Sequence, residues 1–303
     1  MKESEPRPTA PPTTPEAFES WRGRELRRSR LAALLWVLGF SAVFAWSLNV
    51  SGMFSSNAGI DAFGRLGQFL ERMLPDLRSE VLFDDRRTQG SVAYWYYDFP
   101  RWLDAAIETV QMAVVGTAAG AIIALGLCSL AARNLMPFAP VRFVVRRFFE
   151  ILRTIPDIIL AILLTAAFGI GPMAGVLTLM IATLGSQGKL YTEAIESSDA
   201  RPIEAVRAAG GNWFAQIRYG VLPQVFPIIV SYLLLRLEVN LAAAAALGIV
   251  GAGGIGLELE RAITYTEFDT YFAILLMIIL MIFVIDLTSE FIRHRLMGLK
   301  VYA

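Results

Sequence analysis

The chain has 303 residues, 55% of them hydrophobic and 18% charged, with a mean hydropathy of +0.53. Soluble domains hold about 45–50% apolar residues, so this composition points to a membrane protein. Its 27 basic and 27 acidic side chains balance, which leaves no basic excess for a nucleic-acid partner. Cys128 and His294 are each the only residue of their kind, excluding a disulfide framework and a Cys/His metal cluster within the chain. Cys128, inside an apolar run, reads as a small buried hydrophobe.

Residues 1–20 are rich in Pro, Thr and Glu without an apolar period, and 1–30 is predicted as a disordered cytoplasmic tail. Arg22, Arg24, Arg27, Arg28 and Arg30 close it, just before an uncharged run over 31–50. That run is long for a signal-peptide core and no small-x-small cleavage site follows, so it is expected to persist as a first transmembrane helix. Residues 51–102 form a long extracytoplasmic connection. Within it Ile60, Phe63, Leu66, Leu70, Met73 and Leu74 recur at helical spacing among Asp61, Arg65, Glu71 and Arg72, which predicts an amphipathic helix at the membrane surface. Tyr94, Trp95, Tyr96, Tyr97 and Trp102 then gather as an interfacial aromatic belt or, alternatively, a saccharide platform.

Residues 109–132 are 24 positions without a charge, enough to cross about 30 Å of hydrocarbon at about 1.5 Å per residue. Arg133, Arg142, Arg146, Arg147 and Arg153 follow. The next uncharged stretch, 158–188, holds 31 residues, too many for one crossing. Gly169-Ile170-Gly171-Pro172 in its middle predicts two short helices joined by a tight turn, the first beginning before Pro156 and the second ending near Lys189. A fifth apolar stretch covers 223–247, a glycine cluster 248–256, and a last span 268–289. The expected fold is all-α, polytopic, with about six transmembrane helices. An N-terminus inside puts 19 of the 27 Lys and Arg on the cytoplasmic side, with the C-terminus there too.

The polar interlude 199–223 separates two of these spans. Asp199 suits an N-cap, Pro202 is tolerated in a first turn, and Gly210-Gly211 supplies a stop. The helix so bounded has about ten residues, roughly 15 Å. Ile203, Val206 and Ala209 are expected to face inward, with Arg201, Glu204 and Arg207 projecting elsewhere. Ala205, Ala208 and Ala209 keep it slim. Helix physics alone fits either a docking helix or an ordinary amphipathic connection.

Intramembrane Arg236, Glu238 and Asn240 are costly to bury and so are candidates for function. Arg236 and Asn240 lie about one turn apart and are candidates to line a path; Glu238 points opposite and is expected to pair elsewhere. The alternative is a purely structural role for all three. Gly251, Gly253, Gly254 and Gly256 suit a constriction or gate, or else a plain flexible turn.

Glu204-Ala205, Gly210 and Leu222-Pro223 in register resemble the "EAA" coupling loop of ABC-importer permeases. Val206 replaces the second alanine, and Gly220 stands where isoleucine is usual. Arg153-Thr154-Ile155-Pro156, Gly169-Ile170-Gly171-Pro172, Gly188-Lys189-Leu190-Tyr191 and the glycines of 248–256 extend the likeness, over 57–298, to permeases of phosphonate-type ABC importers. The resemblance implies a permease core over 103–298 with a cytoplasmic coupling loop at 190–223, in a bacterial inner membrane. It implies a pair of ABC ATPases docking at Asp199, Arg201, Pro202, Glu204, Ala205, Arg207, Gly210, Leu222 and Pro223. It further implies an extracytoplasmic substrate-binding protein, a second permease subunit expected to be another copy of this chain, and surrounding lipid. Arg153 and Pro156 join Arg236, Glu238, Asn240 and the glycines as expected path or gate residues. Phosphonate or a related oxyanion is the implied cargo, moved by alternating access.

No cofactor is expected on this chain, with ATP and magnesium held by the ATPase. No GxxxxGK[ST] loop occurs, and GAGGIG at 251–256 follows a membrane span rather than a βα unit. The phosphonate-type pattern has an arginine two residues beyond the Asn; Ala242 stands there, and Arg236 is the candidate substitute. The competing function is an ion-coupled secondary transporter using Arg236 and Glu238. No convergent Asp/His/Ser cluster marks an enzyme.

Overall fold

The computed structural model describes residues 15–50 and 58–297, which fall in two compact units, Met1–Glu71 and Arg72–Ala303. The first unit holds α1 (Pro15–Val50) and most of α2 (Ala58–Met73). Residues 21–50 of α1 are long and apolar enough to cross a bilayer. Helix formation begins at Pro15, so residues 15–30 of the expected tail are helical. Proline suits a first turn, and the Glu, Arg and Leu residues that follow are strong helix formers. The rest of the expected tail, 1–14, lies outside the described residues. α2 coincides with the amphipathic helix expected from its spacing.

Among its described residues the second unit is helical apart from its turns and the irregular stretch 74–91. After a short α3 (Val92–Trp95), α4 (Phe99–Ala131) runs beside α7 (Pro172–Glu196). A Cβ added at Gly116 would stand 2.8 Å from Leu179 Cβ, and one at Gly120 2.5 Å from the Met180 carbonyl oxygen. Farther along, the Thr192 hydroxyl donates to the Cys128 carbonyl at 3.5 Å. Sequence numbers rise together along both helices, so the pair is parallel. Gly116, Gly120, Ala124 and Cys128, four residues apart, form the small-residue stripe that permits the approach. Cys128 is free and buried, as expected of a packing residue.

Between them lies a broken span. α5 (Ala139–Thr154) and α6 (Asp157–Phe168) meet at 86°. Ile155 and Pro156 are both extended, with ψ of 120° and 134°, as a residue before proline prefers. α6 therefore starts after Pro156, not before it. The tight turn expected at 169–171 is present, with Gly169 at φ 89°, and Pro172 opens α7. That helix continues seven residues past Lys189, so 190–196 of the expected coupling loop is helical.

α8 (Ala200–Ala208) and α9 (Trp213–Ala215) lead through a π-helical turn, Gln216–Val221, into α10 (Leu222–Gly248). α11 (Ile255–Thr264) and α12 (Phe268–Met297) complete the chain. Among the described residues, length and apolarity mark four spans: Trp21–Val50, Phe99–Ala131, Trp213–Gly248 and Phe268–Arg295, with α5 and α6 together as a fifth. α7 is long enough at 25 residues but carries Thr178, Thr183, Gln187 and Thr192 on its buried face. It is enclosed by protein, so its sequence answers to neighbouring helices rather than to lipid.

Candidate functional site

The segment expected to serve as the coupling loop is built on local backbone chemistry. The Asp199 carboxylate accepts from the Arg201 backbone N–H at 3.0 Å, capping α8, and from the Arg201 guanidinium at 2.6 Å. That side-chain hydrogen bond holds its carboxyl below the usual carboxylate range. At the other end Gly211 N–H donates to Val206 O at 2.9 Å and Gly210 N–H to Arg207 O at 3.0 Å. Gly210 sits at φ 80°. This is the 6→1 and 5→2 pairing of a Schellman stop.

The far end of the motif is tied to the near end. The Gln224 side chain accepts from Asp199 N–H at 3.0 Å and donates to Asp199 O at 3.2 Å. Leu222 and Pro223 start α10 at the position that brings Gln224 there. Ile203 is buried, and Val206 partly so, whereas Arg201, Glu204, Ala205, Arg207 and Ala208 are exposed. Ala209 is exposed too, contrary to expectation, because the helix ends at Ala208 and its cap turns away. Gly220, unusual at its position, lies beneath Ile203: a Cβ there would be 3.0 Å from Ile203 Cα.

A polar seam joins α4, α7 and α10. Asn240 Nδ2 donates to the Thr117 and Thr183 hydroxyls, each at 2.7 Å. The residue is 0% exposed, so it binds three helices together and does not line an open surface. Arg236 Nε reaches Thr183 Oγ1 at 3.4 Å. Glu238 points the other way, as expected, and accepts from Arg293 Nη2 of α12 at 2.6 Å.

Gly251, Gly253 and Gly254 adopt the unusual angles anticipated for them, whereas Gly256 lies within α11. Gly253 and Gly254 have φ of 84° and 70°, a region closed to most side chains. Gly254 N–H donates to Glu108 Oε1 at 3.2 Å, and Ile255 N–H to Thr109 Oγ1 at 2.8 Å. Gly171 N–H donates to Gly251 O at 3.0 Å. Two glycine turns and the Glu108–Thr109 part of α4 therefore interlock. Glu108 and Thr109 were missed in the sequence; the one signal was an acid at the edge of an uncharged run. Thr183, hub of the polar seam, carried none.

Arg153 lies in the last turn of α5 and is exposed, as is Pro156 just beyond it. Phe149, Glu150, Arg153, Thr154 and Lys189 surround a cavity of about 210 Å³. Among the described residues no group of His, Cys, Asp and Glu is arranged to hold a metal ion.

The profile of the family described as "Binding-protein-dependent transport system inner membrane component" matches residues 116–298. The chain is 39% identical over 192 residues to the "Phosphate-import permease protein PhnE" of Mycolicibacterium smegmatis, covering 63% of this chain and 36% of that protein. It therefore spans about a third of that relative's length. To the "Phosphite transport system permease protein PtxC" of Stutzerimonas stutzeri it is 38% identical over 192 residues, covering 63% of this chain and 70% of that one. Among solved structures, an "amino acid ABC transporter with histidines" superposes with a TM-score of 0.56 at 20% identity, over 67% of this chain and 97% of its own. The "MetNI methionine ABC transporter" in an inward-facing form gives 0.56 at 23% identity, over 64% and 95%. These two likenesses bear on the fold.

Proposed function

Because this chain belongs to the family of binding-protein-dependent transport system inner-membrane components, we propose that it forms the translocation path of an ATP-driven importer of small phosphorus oxyanions. As a member of that family it is a multi-pass, non-catalytic membrane subunit. Two cytoplasmic ABC ATPases, which bind ATP and magnesium, dock on α8; a substrate-binding protein delivers cargo from the other side. A second permease subunit, taken to be another copy, completes the path. Both termini are cytoplasmic, in keeping with the distribution of Lys and Arg.

The observation that carries this reading is α8 itself. It is capped at both ends, anchored beneath by Ile203, and presents Glu204, Ala205 and Arg207 outward. Its small residues let a partner approach the backbone closely. Cargo rests on the relatives, named for phosphate and phosphite import. The ion-coupled alternative is not favoured, since Glu238 is committed to Arg293 and the family works with partners.

Two measurements test the proposal. Labelled phosphonate, phosphite and phosphate are offered to a deletion strain with and without this chain; selective uptake of at least one is expected. In the reconstituted complex Glu204→Arg is expected to abolish uptake while the ATPase still hydrolyses ATP. Unimpaired uptake by that variant would falsify α8 as the coupling element.

A further inference from the structure

The parallel pair α4 and α7 makes membrane depth readable. The uncharged run of α4, 109–132, must contain the hydrocarbon core, because Glu108 and Arg133 on either side of it are the first charges met. The contacts of Gly120 with Thr183 and of Thr192 with Cys128 transfer that zone to α7. Gly185 then lies near the mid-plane. A Cβ at Gly185 would stand 2.9 Å from the Arg153 backbone nitrogen, so the break between α5 and α6 brings Arg153 to the same depth, within the membrane rather than among the cytoplasmic cations expected from the sequence.

Its side chain is exposed, and no acid among the described residues pairs with it. About one turn closer to the cytoplasm, Lys189 is 47% exposed and 3.6 Å from Glu193. Both cations line the 210 Å³ cavity with Thr154, Phe149 and Glu150. The Glu150 carboxylate accepts from Arg147 instead. Exposed charges at this depth do not face lipid: in membrane helices such groups turn to protein or to a water-filled space.

Resting on the importer reading above, we propose that the Arg153–Lys189 cavity is an oxyanion-holding station within the translocation path. Arg153 presents paired N–H donors of the kind that match oxyanions, and Lys189 adds a point charge. The space admits a small oxyanion together with several waters, each of about 30 Å³. The station supplies the positive charge that Ala242 leaves out, from a different helix. Arg236 is less suited, being partly buried against Thr183.

The test uses the full chain in membranes that also contain its ATPase. Thr154→Cys, with the native thiol removed by Cys128→Ala, is treated with membrane-impermeant thiol reagents, one anionic and one cationic. The ratio of the two modification rates is expected to favour the anion. It is expected to fall roughly fivefold for each charge removed in Arg153→Gln and Lys189→Gln, and to be kept in Arg153→Lys. Inorganic phosphate or phosphite is expected to slow the anionic reagent, with chloride inert. Ile155→Cys serves as a second reporter should Thr154→Cys fold poorly.

A site closed to both reagents means lipid or the second subunit covers the cavity, and overturns the proposal. A ratio insensitive to both charge removals overturns it too. Uptake by the unmodified chain is measured in parallel. If no phosphorus oxyanion enters, the cargo reading fails by itself, while the charge dependence at position 154 still decides the anion station.

Discussion

Gly248 and Gly256 meet backbone to backbone: a Cβ on Gly256 would lie 2.8 Å from Gly248 Cα, and one on Gly248 2.6 Å from Gly256 Cα. The end of α10 and the start of α11 thus leave no room for a side chain at either glycine. Gly256→Ala is expected to cost about 1–3 kcal/mol by overpacking, read as a lower melting temperature of the detergent-solubilised protein. Gly126→Ala is the control. No atom lies within 4 Å of a Cβ there, and alanine in mid-helix should be neutral or stabilising by up to about 1 kcal/mol.

The Glu238–Arg293 pair has side-chain exposures of 17% and 22%. Removing one partner leaves a partly buried charge without its counterpart, a loss that reaches about 3 kcal/mol where burial is deep. Glu238→Gln and Arg293→Gln should each lower thermal stability, and the double variant should lose less than the sum of the two. An additive double variant would show that the pair does not couple α10 to α12.

For α8 the cap, not the charge, is expected to matter. Asp199→Asn keeps a side-chain acceptor for the Arg201 N–H and should retain coupled transport; Asp199→Ala should not. The pH dependence follows from the depressed carboxyl. A group whose folded pKa lies below its unfolded value stabilises above the unfolded value, here 3.8, and loses that contribution as pH falls through the folded one. Coupling should therefore be insensitive to this residue's ionisation between pH 5 and 8. A wild-type titration in that window with Asp199→Asn alongside checks it; diverging profiles would contradict it.

Asn240→Ala removes the donor shared by Thr117 and Thr183. Buried hydroxyls left short of a partner cost about 1–3 kcal/mol, so this variant should be less stable than Asn240→Gln only if the longer amide still reaches both. Comparing both with Thr183→Val by melting separates the amide from its acceptors.

Much of the architecture could be read from one-dimensional signals. The uncharged run 109–132 marked α4, the Gly-Ile-Gly-Pro turn marked the start of α7, and Asp199 with Gly210 marked both ends of α8. Each of these depends on its own neighbours in the chain. What escaped was long-range. The bend of α5 against α6 needs the small surface of Gly185 and Gly188, which lets Phe149 and Leu152 close in. Glu108 finds Gly254 across 146 positions. Asn240 read as path-lining because polarity inside a span looks the same whether it serves water or a neighbouring threonine. The Leu222-Pro223 spacing was visible, but its use, seating Gln224 on Asp199, was not.

The small-residue seam between α4 and α7 also governs what can move. Sliding one helix along the other would drive the Met180 carbonyl or Leu179 Cβ into the opposite backbone, so close packing opposes their relative displacement. α8 hangs from the end of that pair by only Ser197, Ser198 and Asp199, and Glu108 grips the glycine turn from its other end. The helix that carries Glu204 and the turn that carries Gly254 are therefore joined through one tightly packed pair of helices.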